Sequence, residues 1–338
     1  MKLYGAIDLH ANNNVLTLLD EEDHVVYERR LKNDLGMIVT QLSKYQSEIE
    51  AIAVESTFNW YWLVDGLMEA GYEMRLVNTA AVKQYEGLKH TDDSSDARWL
   101  AHLLRLGILP EGYIYPKHLR AVRDLSRKRS QLVHQKTTHL LSIQNLFTRN
   151  TGKPLSANRI KTLKLEEAEK LFSDAHLVLA VMSNFRMFRY LEQEIKVLEK
   201  SILREVRLSK GFELLLSVNG IGKILALTIM LETGDIGRFA KAGDYASYCR
   251  CVNSNKMSNG KRKGRGNQKN GNKYLSWAFV ETANFAIRFN PLIKRYYQRK
   301  KTRTKNVIAI KAVAHKLARA CYHILRDEIP FDVSKAFA

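Results

Sequence analysis

Three strand-like segments, LYGAIDL, NVLTLLD and HVVYERRL, follow one another within the first 60 residues, the first two joined by the tight turn HANNN. Apolar residues recurring with period two on either side of so short a turn are a hairpin signal. A helix (LGMIVTQLSKY), a short buried strand (IEAIAVEST), a second helix and a further strand (GYEMRLVNT) come next. The order strand, strand, strand, helix, strand, helix, strand predicts a mixed α/β domain over residues 1–118, to which a helix over 119–150 can add a last element.

From residue 119 to 207 the periodicity becomes helical. Leu119, Val122, Leu125, Leu132, Val133 and Leu140 form one apolar stripe. Phe185, Phe188, Leu191, Ile195, Leu198, Ile202 and Val206 form another, with gaps of three and four that fit a coiled-coil seam. The polar linker TGKPLSANRIKTLK lies between them. A third, mainly helical part, 208–338, opens with FELLLSVNGIGKILALTIMLETG. Two apolar helices there flank Asn219-Gly220-Ile221-Gly222, a helix-hairpin-helix pattern in which Gly220, Gly222 and Lys223 let backbone N–H groups approach phosphates.

Charge sorts the chain along the same lines. Residues 251–338 hold 20 Lys and Arg against 4 Asp and Glu, a surplus of 16 within the chain's net charge of +19. So localised a basic field predicts a polyanionic partner, DNA or RNA, because each neutralised phosphate releases counterions. Cys249, Cys251 and Cys321 cannot build a disulfide framework, and their spacing does not make a zinc site. With no signal-peptide core and no apolar run of spanning length, the expectation is a reducing, cytoplasmic protein without a membrane.

Two carboxylates end buried strands, Asp8 in GAIDLH and Glu55 in AIAVEST. A carboxylate there is costly unless paired or bound to a metal. In GLKHTDDSSDARWLAHLLRLG a helix is expected from about Ser94 or Ser95, with Asp93 and Asp96 three apart on one face. Asp8, Glu55, Asp93 and Asp96 together make a hard-oxygen set suited to Mg2+ or Mn2+. Singly, each has a plainer reading, as a helix cap, a turn residue or an exposed strand end.

The stretch KMSNGKRKGRGNQKNGNKYL, residues 256–275, interleaves seven Lys and Arg with glycine and asparagine, and near its front sits one small hydroxyl, Ser258. It reads as a flexible basic run. Lys261, Arg262, Lys263, Arg265, Lys269 and Lys273 suit phosphate contacts, which position rather than specify, and Asn272 can add a contact. Arg120, Arg123, Arg127, Lys128 and Arg129 face either a nucleic acid or solvent.

The order Asp8, Glu55, Asp93, Asp96 resembles the DEDD, RuvC-like domain of the IS-one-ten (IS110) insertion-sequence transposases, with their IS-eleven-eleven branch, relatives of the Piv DNA invertase. NGIGKILALTIMLETGDIGRFAKAGDYASYCR, SNGKRKGRGNQKNGNKYL and AIKAVAHKLARACYHIL resemble that family's second, serine transposase domain, in the same order. The resemblance covers nearly the whole chain and implies an RNase H-like N-terminal domain. It implies that Asp8, Glu55, Asp93 and Asp96 bind the metal, and that Ser258, followed by Asn259, Gly260 and Lys261, attacks the DNA phosphate. It further implies a structured bridge RNA that pairs with donor and target DNA. A homo-oligomer (dimer or tetramer) would bring the acidic domain of one subunit to the serine domain of another, in a prokaryotic cytoplasm and at the nucleoid when acting. The segment here reads LysHisThrAspAspSerSerAspAla, so Asp92 competes with Asp93, which keeps the three-residue step to Asp96. Ser254 is a second candidate for the nucleophile.

Two rival functions share these residues: a RuvC-like metal-dependent junction nuclease that cuts with water, and a non-enzymatic nucleic-acid-binding protein with structural acids. An actin-like sugar kinase also opens on a strand with Asp, but it needs a Gly-rich phosphate loop where HANNN stands.

Overall fold

In the computed structural model the described residues are 1–79, 81–82, 93–206, 209–253, 255–265 and 270–337. Five strands, β1 (Leu3–Leu9), β2 (Asn13–Leu19), β3 (Val25–Lys32), β4 (Ile49–Glu55) and β5 (Met74–Val77), make one sheet in the order β3-β2-β1-β4-β5. β1, β2 and β3 pair antiparallel through short turns, whereas β1–β4 and β4–β5 are parallel. Parallel pairing needs a crossover, supplied by α1 (Leu35–Leu42) before β4 and α2 (Tyr61–Glu69) before β5. Asp34 caps α1 by accepting from the Met37 amide at 3.0 Å.

One face of the sheet buries Ile7, Leu16, Leu18, Ile52 and Val54 against Ile38 and Leu42 of α1 and Leu63 and Leu67 of α2. The other face carries Ala6, Ala53 and Val77 under Leu100, Ala101 and Leu103 of α3 (Asp93–Arg105). The alanines let α3 sit close to the strands. Among the described residues α3 already includes Asp93, ahead of the start near Ser94 or Ser95 that the sequence suggests.

The structure divides into two units, Met1–Lys117 and His118–Ala338. In the second, α4 (Lys117–Thr151) and the later α7 (Ala175–Val206) are long helices. Short α5 (Ala157–Thr162) and α6 (Leu165–Glu169) lie between them in sequence. The stripe predicted on α7 is its buried side: Phe185 and Phe188 pack with Leu140 and Ile143 of α4, and Leu191 and Ile195 with Leu132.

A further core joins α8 (Lys210–Leu216), α9 (Lys223–Thr233), α10 (Ala242–Tyr248), α11 (Lys273–Phe289), α12 (Pro291–Lys301), α13 (Asn306–Asp327) and α14 (Val333–Phe337). Tyr245, Phe279 and Tyr322 are fully buried in it. Two short strands precede α11, β6 (Asn255–Ser258) and β7 (Lys261–Arg265).

The α8–α9 turn is pressed onto α11. Gly220 has φ +94°, and a Cβ there would lie 2.6 Å from the Thr282 carbonyl oxygen and 2.7 Å from the Ala286 nitrogen. Gly220→Ala combines a left-handed backbone with overpacking and is expected to cost about 3 kcal/mol. A fall in the urea midpoint at unchanged m-value is the reading that checks it.

Candidate functional site

The acids of the first unit meet through strand periodicity. Side chains alternate between sheet faces, so Ala6 and Asp8 share the α3 face, as do Ala53 and Glu55. Parallel pairing of Ile7 with Val54 then sets Asp8 and Glu55 side by side at the strand ends. On α3, Asp96 lies one helical turn before Leu100 and faces the same pocket. That pocket encloses about 270 Å3 and is lined by Asp8, Glu55 and Asp96 together with Thr79 and Trp99.

Asp93 stands differently. Its carboxylate accepts from Arg30 Nη2 at 2.5 Å. His10 Nε2 lies 3.2 Å from a carboxylate oxygen of both Asp93 and Asp8, without hydrogen-bond angles to either. The β1–β2 turn that places His10 is pinned at the His10 carbonyl, which accepts from Asn33 and Asn59, each at 3.0 Å. Potential ligand atoms of Asp8, His10 and Asp93 fall within 4.8 Å of one another. Asp8, Glu55 and Asp96 therefore converge in the pocket, and Asp93 joins them through His10 and Asp8. Asp92 lies outside the described residues.

Burial raises the Asp8 carboxyl pKa; His10 opposes this, while the negative charges of Asp93 and Asp96 add to it. Glu55 is likewise raised, by burial first and then by Asp8 and Asp96. Asp93 is lowered, chiefly by Arg30. Like-charged groups held together at the ends of the inner strands, against their own ionisation, fit a site for a divalent cation with oxygen ligands. His10 is the site residue that sequence reasoning passed over, as part of a turn. The available signal was its place two residues after Asp8, at the end of a buried strand.

In the second unit the basic run is not wholly irregular. Asn259 (φ 49°) and Gly260 (φ +69°) take left-handed conformations between β6 and β7, with Ser258 paired to Lys261. Positive φ at both central residues of a two-residue loop is the type I′ hairpin turn, for which Asn-Gly is the preferred pair. Ser258 thus sits at the hairpin's tip, exposed, with Lys261 and Lys263 exposed on the opposing strand. Arg262 and Arg265 are described here only as backbone of β7; Ser254 and Lys269 lie outside the described residues. Gly222 caps α9, Lys223 is its exposed first residue, and Lys273 is the exposed first residue of α11.

Several basic residues of α4 are drawn into ion pairs with acids of neighbouring helices. Glu232 of α9 is 2% exposed. It accepts from Arg127 Nε at 2.7 Å and Nη2 at 2.8 Å, and from Arg123 Nη2 at 3.2 Å. Asn272 completes the cluster, donating from Nδ2 at 2.7 Å while its Oδ1 caps α11. Asn272 is buried, so its part is structural rather than a surface contact. Arg129 is likewise held by Glu199, at 2.6 Å.

A five-stranded mixed sheet in this order, with acids at the ends of adjacent parallel strands and under the following helix, is the arrangement of an RNase H-like domain, a scaffold of polynucleotide phosphoryl transfer. Residues 6–150 match the DEDD transposase model of IS110 elements, and residues 212–298 match the transposase IS116/IS110/IS902 family. The chain belongs to this IS110 transposase family, enzymes that cut and rejoin DNA. A Pseudomonas aeruginosa protein named "Probable family 20 transposase" is 25% identical over 327 residues, spanning 92% of this chain and 93% of that protein. A Sinorhizobium fredii protein named "Putative transposase y4qE" is 24% identical over 236 residues, covering 69% of this chain and 57% of its own length. Among the described residues no helix is long and apolar enough to cross a membrane.

Proposed function

We propose that the chain is the transposase and site-specific recombinase of an insertion sequence, with Ser258 as nucleophile toward a DNA phosphodiester. The acids Asp8, Glu55, Asp93 and Asp96 would hold Mg2+ or Mn2+, with His10 beside them. The observation that carries the reading is Ser258 itself: an exposed hydroxyl at the tip of a basic hairpin, set by a turn that fixes the backbone on its C-terminal side.

A serine hydroxyl is a weak nucleophile until it is deprotonated and aimed at phosphorus. Lys261 and Lys263 can bind the phosphodiester and stabilise charge growing on its oxygens. The Oγ–P bond forms as one P–O bond of the strand breaks, and the freed strand oxygen takes up a proton. A phosphoserine diester keeps the energy of the broken bond, so a strand hydroxyl can reverse the step on a new partner without ATP. When bound, the divalent ion would neutralise phosphate charge and orient the scissile group.

The α8–α9 turn, with Gly220, Gly222 and Lys223, is read as a helix-hairpin-helix that adds phosphate contacts, and α4–α7 as a coiled-coil arm. A structured guide RNA and a homo-oligomer complete the proposal, on the strength of the family resemblance.

The test is a covalent adduct. Full-length protein and labelled DNA carrying the element's ends should give a protein–DNA linkage stable to denaturant, lost in Ser258→Ala and kept in Ser254→Ala. An adduct that survives Ser258→Ala moves the nucleophile elsewhere. Cleavage with no adduct in the unsubstituted protein points instead to attack by water.

A further inference from the structure

A second concavity lies wholly within the His118–Ala338 unit, between α4 and the start of α11, and encloses about 830 Å3. That is the size of clefts that hold small ligands. α11 contributes Lys273, Tyr274 and Trp277, and α4 contributes Asp124, Lys128 and His134. Lys273 and Tyr274 stand four and three residues before Trp277, and on α4 Gln131 links Lys128 to His134 in steps of three, so each set lines one side of its helix.

The polar groups lining it have different commitments. Arg127 and Arg129 are engaged by Glu232 and Glu199. Tyr274 has the Arg127 guanidinium 4.9 Å and the Lys273 ammonium 5.1 Å from its ring centre. Trp277 is 37% exposed, and Lys128 and Lys273 are exposed beside it. A part-exposed indole in a concave, lysine-bearing site suits a ligand with both a flat aromatic surface and an anion. A base with its phosphate has both. A duplex does not offer them, because its base faces are stacked inside.

We infer that the α4–α11 groove binds a nucleotide of an unpaired strand, stacking its base on Trp277 and holding its phosphates with Lys128 and Lys273. The groove rests on the proposed function only in taking nucleic acid as the partner, and it is indifferent to which residue attacks. Unpaired DNA and unpaired RNA share this chemistry. Asp124 repels phosphate, so Asp124→Asn is expected to tighten binding.

The test titrates full-length protein into labelled oligo-dT, oligo-rU (each about twelve nucleotides, within known site sizes) and a duplex, at several salt concentrations. Trp277→Ala should raise the dissociation constant for at least one single strand about tenfold. Trp277→Phe should recover most of that loss, and duplex binding should stay within about twofold of the unsubstituted protein. The strand that responds identifies the source. Exchanging both Lys128 and Lys273 for Gln should flatten the single-strand salt slope by about 1.4. Single strands bound as tightly by Trp277→Ala as by the unsubstituted protein would overturn the inference. So would equal loss for duplex and single strand. Should Trp277→Ala fail to fold, an unchanged salt slope in the lysine double variant overturns it alone. Trp277-dependent binding in a protein that forms no Ser258 adduct would refute the nucleophile and leave the groove standing.

Discussion

Asp8→Asn is expected to make the ion-free protein more stable and the enzyme inactive. Asp8 is 5% exposed, and burial raises its carboxyl pKa, with Asp93 and Asp96 adding to the rise and His10 and Arg30 opposing it. A raised folded-state pKa means that the folded chain binds this proton more tightly than the unfolded chain. The contribution to stability is therefore present below the unfolded carboxyl pKa and is lost as pH rises through the folded value. Near neutral pH the ionised Asp8 destabilises the fold, and an isosteric amide removes that cost, a gain of about 1 kcal/mol. Glu55 has the same sign, raised by burial, Asp8 and Asp96. A structural carboxylate in a satisfied ion pair would behave in the opposite way.

With Mn2+ the order should reverse. A ligand at 100 times its dissociation constant stabilises the state that binds it by about 2.7 kcal/mol, so the unsubstituted protein should gain several degrees in Tm and Asp8→Asn little. Strand cleavage should fall by about three orders of magnitude or more, the scale of losing charge stabilisation at a transferring phosphoryl group. Equal Mn2+ stabilisation of both proteins, or retained cleavage by Asp8→Asn, would remove the ion site from Asp8.

The order of strands along the chain was legible from short apolar runs whose side chains alternate with period two, and LYGAIDL coincides with β1, which is buried on both faces. The same rule, carried to Ala6/Asp8 and Ala53/Glu55, predicts that the first two acids share a sheet face. The β6–β7 hairpin escaped notice for a physical reason. Its strands, NKMS and KRKGR, are too polar to show a buried face, and only Asn259-Gly260 marked the turn. Asp93 and Asp96 lie three apart in the first turn of α3, and Asp93 in addition accepts from Arg30, 63 residues away. No local pattern announces a pairing at that separation. The arginines of α4 were ambiguous for the same cause, since Arg127 and its carboxylate are 105 residues apart.

That pairing carries the largest stability effect expected in the chain. Glu232 sits inside α9 at 2% exposure, where burial alone would raise its pKa. Arg127, Arg123 and Asn272 outweigh burial and leave the carboxyl below its ordinary value. The lowered pKa gives a contribution present above the unfolded carboxyl value and lost as pH falls through the folded one. Glu232→Ala leaves two guanidiniums, Arg123 at 13% and Arg127 at 31% side-chain exposure, without their shared anion. It also takes from Asn272 the acceptor that sets its amide while it caps α11. Breaking a buried pair by removing one partner costs about 3–5 kcal/mol, which in a unit of this size is a Tm lower by about 10 °C. Glu232→Gln keeps the shape and one acceptor and should fall between. The gap between unsubstituted and Glu232→Gln proteins should close as pH drops below the carboxylate range, because the native carboxyl is then protonated too. Urea unfolding at neutral and acidic pH measures both effects. A gap that stays constant with pH would mean that packing, and not the charge, holds α4, α9 and α11 together.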